Sequence, residues 1–330
     1  MANVAFTSTD QWSTATVASA SGSQTLLSLL SFDSFPETLH DEDALADRLH
    51  PYEIICTMRE RTKFTASLLN RLPNLKPRLI ATTGPYNRGI DSVHAKSKGI
   101  LVSGTNRDIP SSATSVAHKG DPTLEHIWAL ILSATRHIVQ EDRNIKSCSP
   151  QWQHSIPTSL AGKTLGLIGL GRLGTKVAEI ARLFHMSILA WSPNLTPSRA
   201  SSVPGVTYSP SKEHLLKHSD IVSIHMILSP STQDLITAPD LELLRPTAYF
   251  INTSRGPLVN EEALVKVLQE GKIAGAALDV YCVEPLPLDH PLRKCGDRVT
   301  LSPHNAYVFW GETVENIVAY LEGKPLRLLA

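Results

Sequence analysis

The sequence predicts an α/β protein made of two doubly wound, mostly parallel sheets. Three observations predict it. Short apolar runs alternate with helical stretches in the N-terminal third, a polar connection interrupts them, and the same alternation restarts at Lys163. With 330 residues the chain has room for two domains of ordinary size, each with its own core.

In order, Ile54–Met58 reads as a strand, Thr65–Leu72 as a helix and Arg78–Thr82 as a strand. Asp91–Gly99 reads as a helix closed by glycine, and Ile100–Ser103 as a strand. The polar stretch Asn106–Gly120 reads as a connection. Asp121 then offers an N-cap and Pro122 the first helical position. Leu124, Ile127, Trp128, Ile131, Leu132, Ile138 and Val139 follow at helical spacing, which predicts one long helix with a buried stripe. Beyond a loop at Ser147–Thr158, strands are expected at Thr164–Gly169, Ser187–Trp191, Ile221–His225, Ala248–Asn252, Ala274–Asp279 and Val299–Ser302. A helix bracketed by Asn260 as N-cap and Gly271 past its end follows the fourth of these.

Composition excludes several functions. Lys plus Arg and Asp plus Glu number 31 each, so there is no electrostatic footprint for nucleic acid or an anionic membrane. The longest apolar run, Ile127–Leu132, is a fragment of an amphipathic helix, and no membrane span is expected. The first Lys or Arg is Arg48 and the last residues are Arg327-Leu328-Leu329-Ala330, which resemble no secretory, mitochondrial or peroxisomal address. The expected location is the cytoplasm. Cys56, Cys148, Cys282 and Cys295 are scattered without metal-ligand spacing, so reduced thiols and no metal are expected.

The strongest motif is Gly169-Leu170-Gly171-Arg172-Leu173-Gly174, a G-x-G-x-x-G directly after an apolar strand and before a helix with Val177, Ile180, Ala181 and Phe184 on one face. Gly169 permits a tight turn, Gly171 lets backbone approach a pyrophosphate, and Gly174 lets helix and strand pack closely. The freed amides of the helix start then face the anion. This predicts a Rossmann-type dinucleotide site, with Arg172 and Leu173 at its helix start. The next strand ends Trp191-Ser192-Pro193, without the acidic residue that binds a ribose 2′-hydroxyl. Ser192 does not repel a 2′-phosphate, so both NAD and NADP stay open, with Arg199 the nearest cation.

Three ionisable groups fall at or just beyond strand ends, where open α/β sheets place ligands: Arg255 after Asn252-Thr253-Ser254, Glu284 after Asp279-Val280-Tyr281-Cys282-Val283, and His304 after Ser302-Pro303. Reduction of a 2-keto acid needs a cation for the carboxylate and carbonyl, a proton donor, and a group that keeps the donor charged. Guanidinium, imidazolium and carboxylate meet these needs. Asp279 is placed to accept from a nicotinamide carboxamide. His126, His137 and His225 read as ordinary helix or strand residues.

Together these blocks resemble the D-isomer-specific 2-hydroxyacid dehydrogenase family, over most of the chain: Leu160–Gly174, Asn252–Val259, Ala277–Val280 with Glu284-Pro285, and Ser302-Pro303-His304. The resemblance implies that Arg255 binds substrate and polarises its carbonyl, Glu284 partners the histidine, and His304 is the acid/base. It implies that Thr253 and Asp279 belong to the cofactor site, that backbone amides at Thr83-Gly84 meet the substrate carboxylate, and that Arg59 lines the pocket. It also implies a homodimer.

The expected architecture is a discontinuous, flavodoxin-like substrate domain, residues 1–118 completed by 306–330, around a Rossmann domain at 119–305. The expected function is hydride transfer between NAD(P)H and C2 of a small 2-keto or 2-hydroxy acid. Against the family's usual form, the stretch from His304 to Gly311 reads as shortened. That favours, as an alternative, a cofactor-binding regulatory protein similar to the corepressor branch; a short phosphoglycerate dehydrogenase-like enzyme is another.

Overall fold

The computed structural model describes residues 2–7, 30–72, 78–105, 121–305 and 310–329. The chain divides into two compact units, Met1–Ala117 with Val308–Ala330, and His118–Tyr307. The expected connection at Asn106–Gly120 lies outside the described residues, as does most of the stretch between His304 and the last helix.

The first unit holds a five-stranded sheet in the order β2-β1-β3-β4-β5, from Ala2–Thr7 (β1), Leu30–Phe35 (β2), Ile54–Thr57 (β3), Leu79–Thr82 (β4) and Leu101–Ser103 (β5). Every pairing in it is parallel. Parallel strands are buried on both faces and so read as continuous apolar runs, which is why Ile54–Thr57 and Leu79–Thr82 are legible in sequence. Strands β1 and β2 were not expected; β2 alternates apolar and polar residues. One face packs on α1 (Glu42–Leu49), α2 (Ala66–Arg71) and α3 (Ser92–Ser97) through Leu45, Leu49, Leu68, Leu69 and Ala95. The other packs on the C-terminal helix through Val314 and Ile317.

The second unit holds a seven-stranded parallel sheet, β12-β11-β10-β9-β6-β7-β8. Its strands are Thr164–Ile168 (β6), Ser187–Trp191 (β7), Val206–Tyr208 (β8), Ile221–Ile224 (β9), Tyr249–Asn252 (β10), Gly275–Leu278 (β11) and Val299–Leu301 (β12). The order reverses between β6 and β9, and the dinucleotide loop follows β6, at the switch point where such sheets bind ligands. Helices α4 (Pro122–Thr135) and α6 (Arg172–Leu183) cover one face through Ile127, Ile131, Val177 and Ala181. Helices α7 (Lys212–His218) and α8 (Glu261–Gln269) cover the other through Leu215, Leu216, Leu264 and Leu268.

One expectation is corrected. The predicted long helix through Val139 is two helices, α4 and α5 (Ile138–Lys146), broken at Arg136-His137, where His137 adopts φ 56°. A left-handed residue cannot continue a right-handed helix. The chain therefore turns, and Ile138 and Val139, read as part of the buried stripe, are 56% and 42% exposed.

Candidate active site

The loop after β6 is shaped by backbone sterics. Gly169 has φ 106°, and a Cβ there would lie 2.5 Å from the His225 carbonyl oxygen. A Cβ on Gly174 would lie 2.2 Å from the Gly169 carbonyl oxygen. A Cβ on Gly171 would meet nothing within 4 Å among the described residues beyond its chain neighbours. The first and third glycines are thus demanded by the protein's own packing and the second is not, which leaves open space over the start of α6. That helix is 12 residues long and its N-cap, Gly171, makes no side-chain cap bond. Uncapped amides behind an open glycine suit a pyrophosphate.

Around this loop, Leu173 is half-buried and Thr253 buried. Arg172 and Lys176 both reach Asp121 Oδ2, at 2.7 and 2.9 Å, so the Arg172 guanidinium is held by the cap residue of α4. Ser192 is half-buried beyond β7, and Arg199 donates to the Ser202 hydroxyl at 3.2 Å.

Asp279, just past β11, is fully buried. Its Oδ1 accepts from Ser302 Oγ at 2.6 Å and from the Asn305 amide at 2.8 Å, and it lies 3.1 Å from His126 Nε2. Burial alone would raise this carboxyl, but the hydrogen bonds from His126, Ser302 and Asn305 outweigh it and hold it below the ordinary carboxylate range. Oδ2 is buried with no hydrogen-bond partner among the described residues. An unmet buried acceptor fits the NH2 of a nicotinamide carboxamide. His126 is a residue that sequence reasoning passed over; its partner Asp279 is 153 positions away, and no local signal marks it.

The residues expected to act as acid/base and its partner are joined by hydrogen bonds. His304 is buried, with φ 57°, and its Nδ1 lies 2.7 Å from Glu284 Oε2. Glu284 Oε1 accepts the Tyr281 amide at 3.0 Å. The Tyr281 hydroxyl donates to the Ser302 carbonyl at 2.8 Å, tying the loop of the acid to the strand end that carries the histidine. Burial, with Asp279 and Glu284 nearby, pushes the Tyr281 phenol up, so it stays a donor. The Cys282 amide donates to Glu261 Oε1 at 2.9 Å, and Glu261 pairs through its other oxygen with His290 at 3.1 Å. Tyr281 and Glu261 are further supports that sequence reasoning missed.

Arg255 follows β10. Asn252 Nδ2 donates to its carbonyl at 3.0 Å, and its own Nη1 donates to the Ser254 carbonyl at 2.7 Å. The next residue, Gly256, lies against the Tyr281–Cys282 backbone so closely that a Cβ would come 2.0 Å from the Tyr281 carbonyl carbon. The arginine turn and the glutamate loop are therefore in direct backbone contact.

In the first unit, Gly84 has φ 104° and forms the expected turn after β4. Its amide donates to Thr105 Oγ1 at 2.6 Å, and the Thr83 amide to the Thr57 carbonyl at 3.1 Å. Both N–H groups expected to meet a carboxylate are engaged within the protein. Arg59 opens a single 3-10 turn, Arg59–Arg61, and its side chain lies outside the described atoms. No group of three or more metal-ligating side chains occurs among the described residues, and none of their helices is long and apolar enough to cross a membrane.

A seven-stranded parallel sheet with a glycine-built loop at its switch point and a buried acceptor past β11 defines a dinucleotide-dependent α/β oxidoreductase. Residues 128–306 match the family model described as "D-isomer specific 2-hydroxyacid dehydrogenase, NAD binding domain". The chain is 37% identical to a glyoxylate reductase of Thermofilum pendens over 301 residues, 87% of this chain and 80% of that protein. It is 32% identical to a D-3-phosphoglycerate dehydrogenase of Bacillus subtilis over 287 residues, 85% of this chain and 51% of that protein. Its fold matches the crystal structure of a phosphoglycerate oxidoreductase from Vibrio cholerae with a TM-score of 0.82 at 30% identity, covering 98% of this chain and 100% of that one. The chain belongs to the D-isomer-specific 2-hydroxyacid dehydrogenase family and is an NAD(P)-dependent enzyme of that class.

Proposed function

We propose that this chain reduces a small 2-keto acid of the glyoxylate class to the 2-hydroxy acid, with His304 as acid/base, Glu284 as its partner and Arg255 as the carboxylate and carbonyl ligand. The observation that carries this is the 2.7 Å contact between His304 Nδ1 and Glu284 Oε2 on a glutamate itself held by the Tyr281 amide. When bound at the Gly169–Gly174 cradle and Asp279, NAD(P)H supplies the hydride that reaches C2. Glu284 accepts Nδ1–H of His304, orienting the ring so that Nε2 delivers the proton to the former carbonyl oxygen. Arg255 turns its guanidinium from the Ser254 carbonyl to the substrate, offering paired donors to the carboxylate and polarising the carbonyl.

Residues 1–118 with 306–330 serve as the substrate domain and 119–305 as the cofactor domain. Arg59 and the Thr83-Gly84 turn line the substrate pocket; the Gly84 amide contributes only if Thr105 Oγ1 releases it. The similarity to glyoxylate reductases supports glyoxylate as the first substrate to try. The absence of a carboxylate at Ser192 supports use of NADPH as well as NADH, and the working unit is a homodimer. The His–Glu contact favours this enzyme over a purely regulatory cofactor binder. His304→Ala should lower kcat by about a thousandfold while cofactor affinity stays within about twofold. Unchanged turnover on a 2-keto acid panel would remove the mechanism.

A further inference from the structure

We infer that His126 is a positioning residue for the cofactor: it fixes the Asp279 carboxylate so that its unpartnered oxygen faces the nicotinamide carboxamide. The inference rests on the assignment of Asp279 to that carboxamide and adds a residue to it.

The carboxylate is asymmetric. All of its partners among the described residues meet Oδ1: Ser302 Oγ at 2.6 Å, the Asn305 amide at 2.8 Å and His126 Nε2 at 3.1 Å, while Oδ2 is buried with none. A buried carboxylate free to turn would share its donors between both oxygens, so the one-sided arrangement needs an anchor on another element. Ser302 and Asn305 flank His304 on the same strand end. His126 is the contributor from α4. Its protonation site follows from its neighbours. The Ser302 hydroxyl gives its proton to Asp279, so both groups within reach of Nε2, the carboxylate at 3.1 Å and Ser302 Oγ at 3.0 Å, are acceptors. Nε2 therefore carries the hydrogen and binds both. The result is a carboxylate pinned at one oxygen, with the other presented as a lone acceptor.

The test compares binding of the parent dinucleotide with that of its 3-acetylpyridine analogue, in which a methyl ketone replaces the carboxamide and the NH2 donor is gone. Affinities are measured by calorimetry on the full-length protein, without turnover. Asp279→Asn puts a donor where the acceptor stood. His126→Leu removes the anchor, and His126→Gln keeps a donor at about the position of Nε2. His126→Leu and Asp279→Asn should each weaken the nicotinamide form by about tenfold and the acetylpyridine form by less than about twofold, and His126→Gln should stay near the parent. A structural role for His126 would weaken both forms equally and would overturn the inference. So would a His126→Leu protein that binds both forms as the parent does while Asp279→Asn still discriminates; in that case the role of Asp279 stands. If Asp279→Asn fails to discriminate, the carboxamide assignment falls first and the inference with it. Should His126→Leu not fold, His126→Asn, polar but too short to reach Asp279, takes its place in the comparison.

Discussion

Between Gly169 and Gly174 the chain is shaped by backbone lying on backbone, whereas around His304 it is held by hydrogen bonds to the side chains of the Tyr281–Glu284 loop. In the first region Gly169 abuts the His225 carbonyl and Gly174 abuts the Gly169 carbonyl. In the second, His304 meets Glu284, Glu284 meets the Tyr281 amide, and Tyr281 meets the Ser302 carbonyl. A cradle made of excluded volume is rigid but carries no proton. A proton-transfer group has to be held by hydrogen bonds, each of which constrains and polarises the next. Gly256 joins the two styles, since backbone contact with Tyr281–Cys282 there positions a chemical loop.

That contrast can be broken at four places. The largest effect is expected at Gly256→Ala. The new methyl would lie 2.0 Å from the Tyr281 carbonyl carbon, and both faces of the contact are backbone. Stability should fall by about 3 kcal/mol and turnover should drop with it; urea unfolding alongside kcat checks both. Glu284→Gln comes next. The amide can keep the Tyr281 contact, but it turns a donor toward His304 Nδ1 and should lower kcat about a hundredfold with little change in melting temperature. A variant with parental kcat would show that the histidine needs no acidic partner.

Gly171→Ala should have a smaller and cleaner effect. Among the described residues beyond its chain neighbours, no atom lies within 4 Å of the added methyl, so stability should be unchanged, while dinucleotide affinity falls about tenfold because the methyl meets the ligand. A destabilised variant with normal affinity would mean that the space serves the fold and not a phosphate. The smallest effect concerns His225, whose ring nitrogens are buried without partners among the described residues and whose pKa is pushed down from 6.5 to about 4 by burial. Between those values the unfolded chain binds a proton that the folded chain refuses, so stability falls as pH drops through that window. From pH 7.5 to 6 the loss should be about 1 kcal/mol, and His225→Leu should abolish that share of the slope.

The α/β class, the dinucleotide loop and the ends of several helices were legible in the sequence because each is a local matter. Asp91 and Asn260 cap their helices three residues ahead, and Gly99 and Gly271 close them with positive φ. The placement of Glu284 and His304 at one edge of the sheet was legible because both follow apolar strands, and parallel strands deliver their ends together; that the two pair was what the family resemblance implied. The break at His137 was not legible, because apolar spacing continues through Ile138 and Val139 and nothing in that pattern forbids a longer helix. Nor was the engagement of the Gly84 amide by Thr105, 21 residues away.

By itself, the sequence determined what sterics and periodicity decide over a few residues: which runs become strands, where helices start, and where only glycine fits. Folding alone decided which donors reach Asp279 Oδ1 and leave Oδ2 bare, and which amides the acids at 261 and 284 hold. Those contacts join groups from 3 to 153 positions apart, and the longer ones depend on how helices and loops pack on the sheet, which no local pattern encodes.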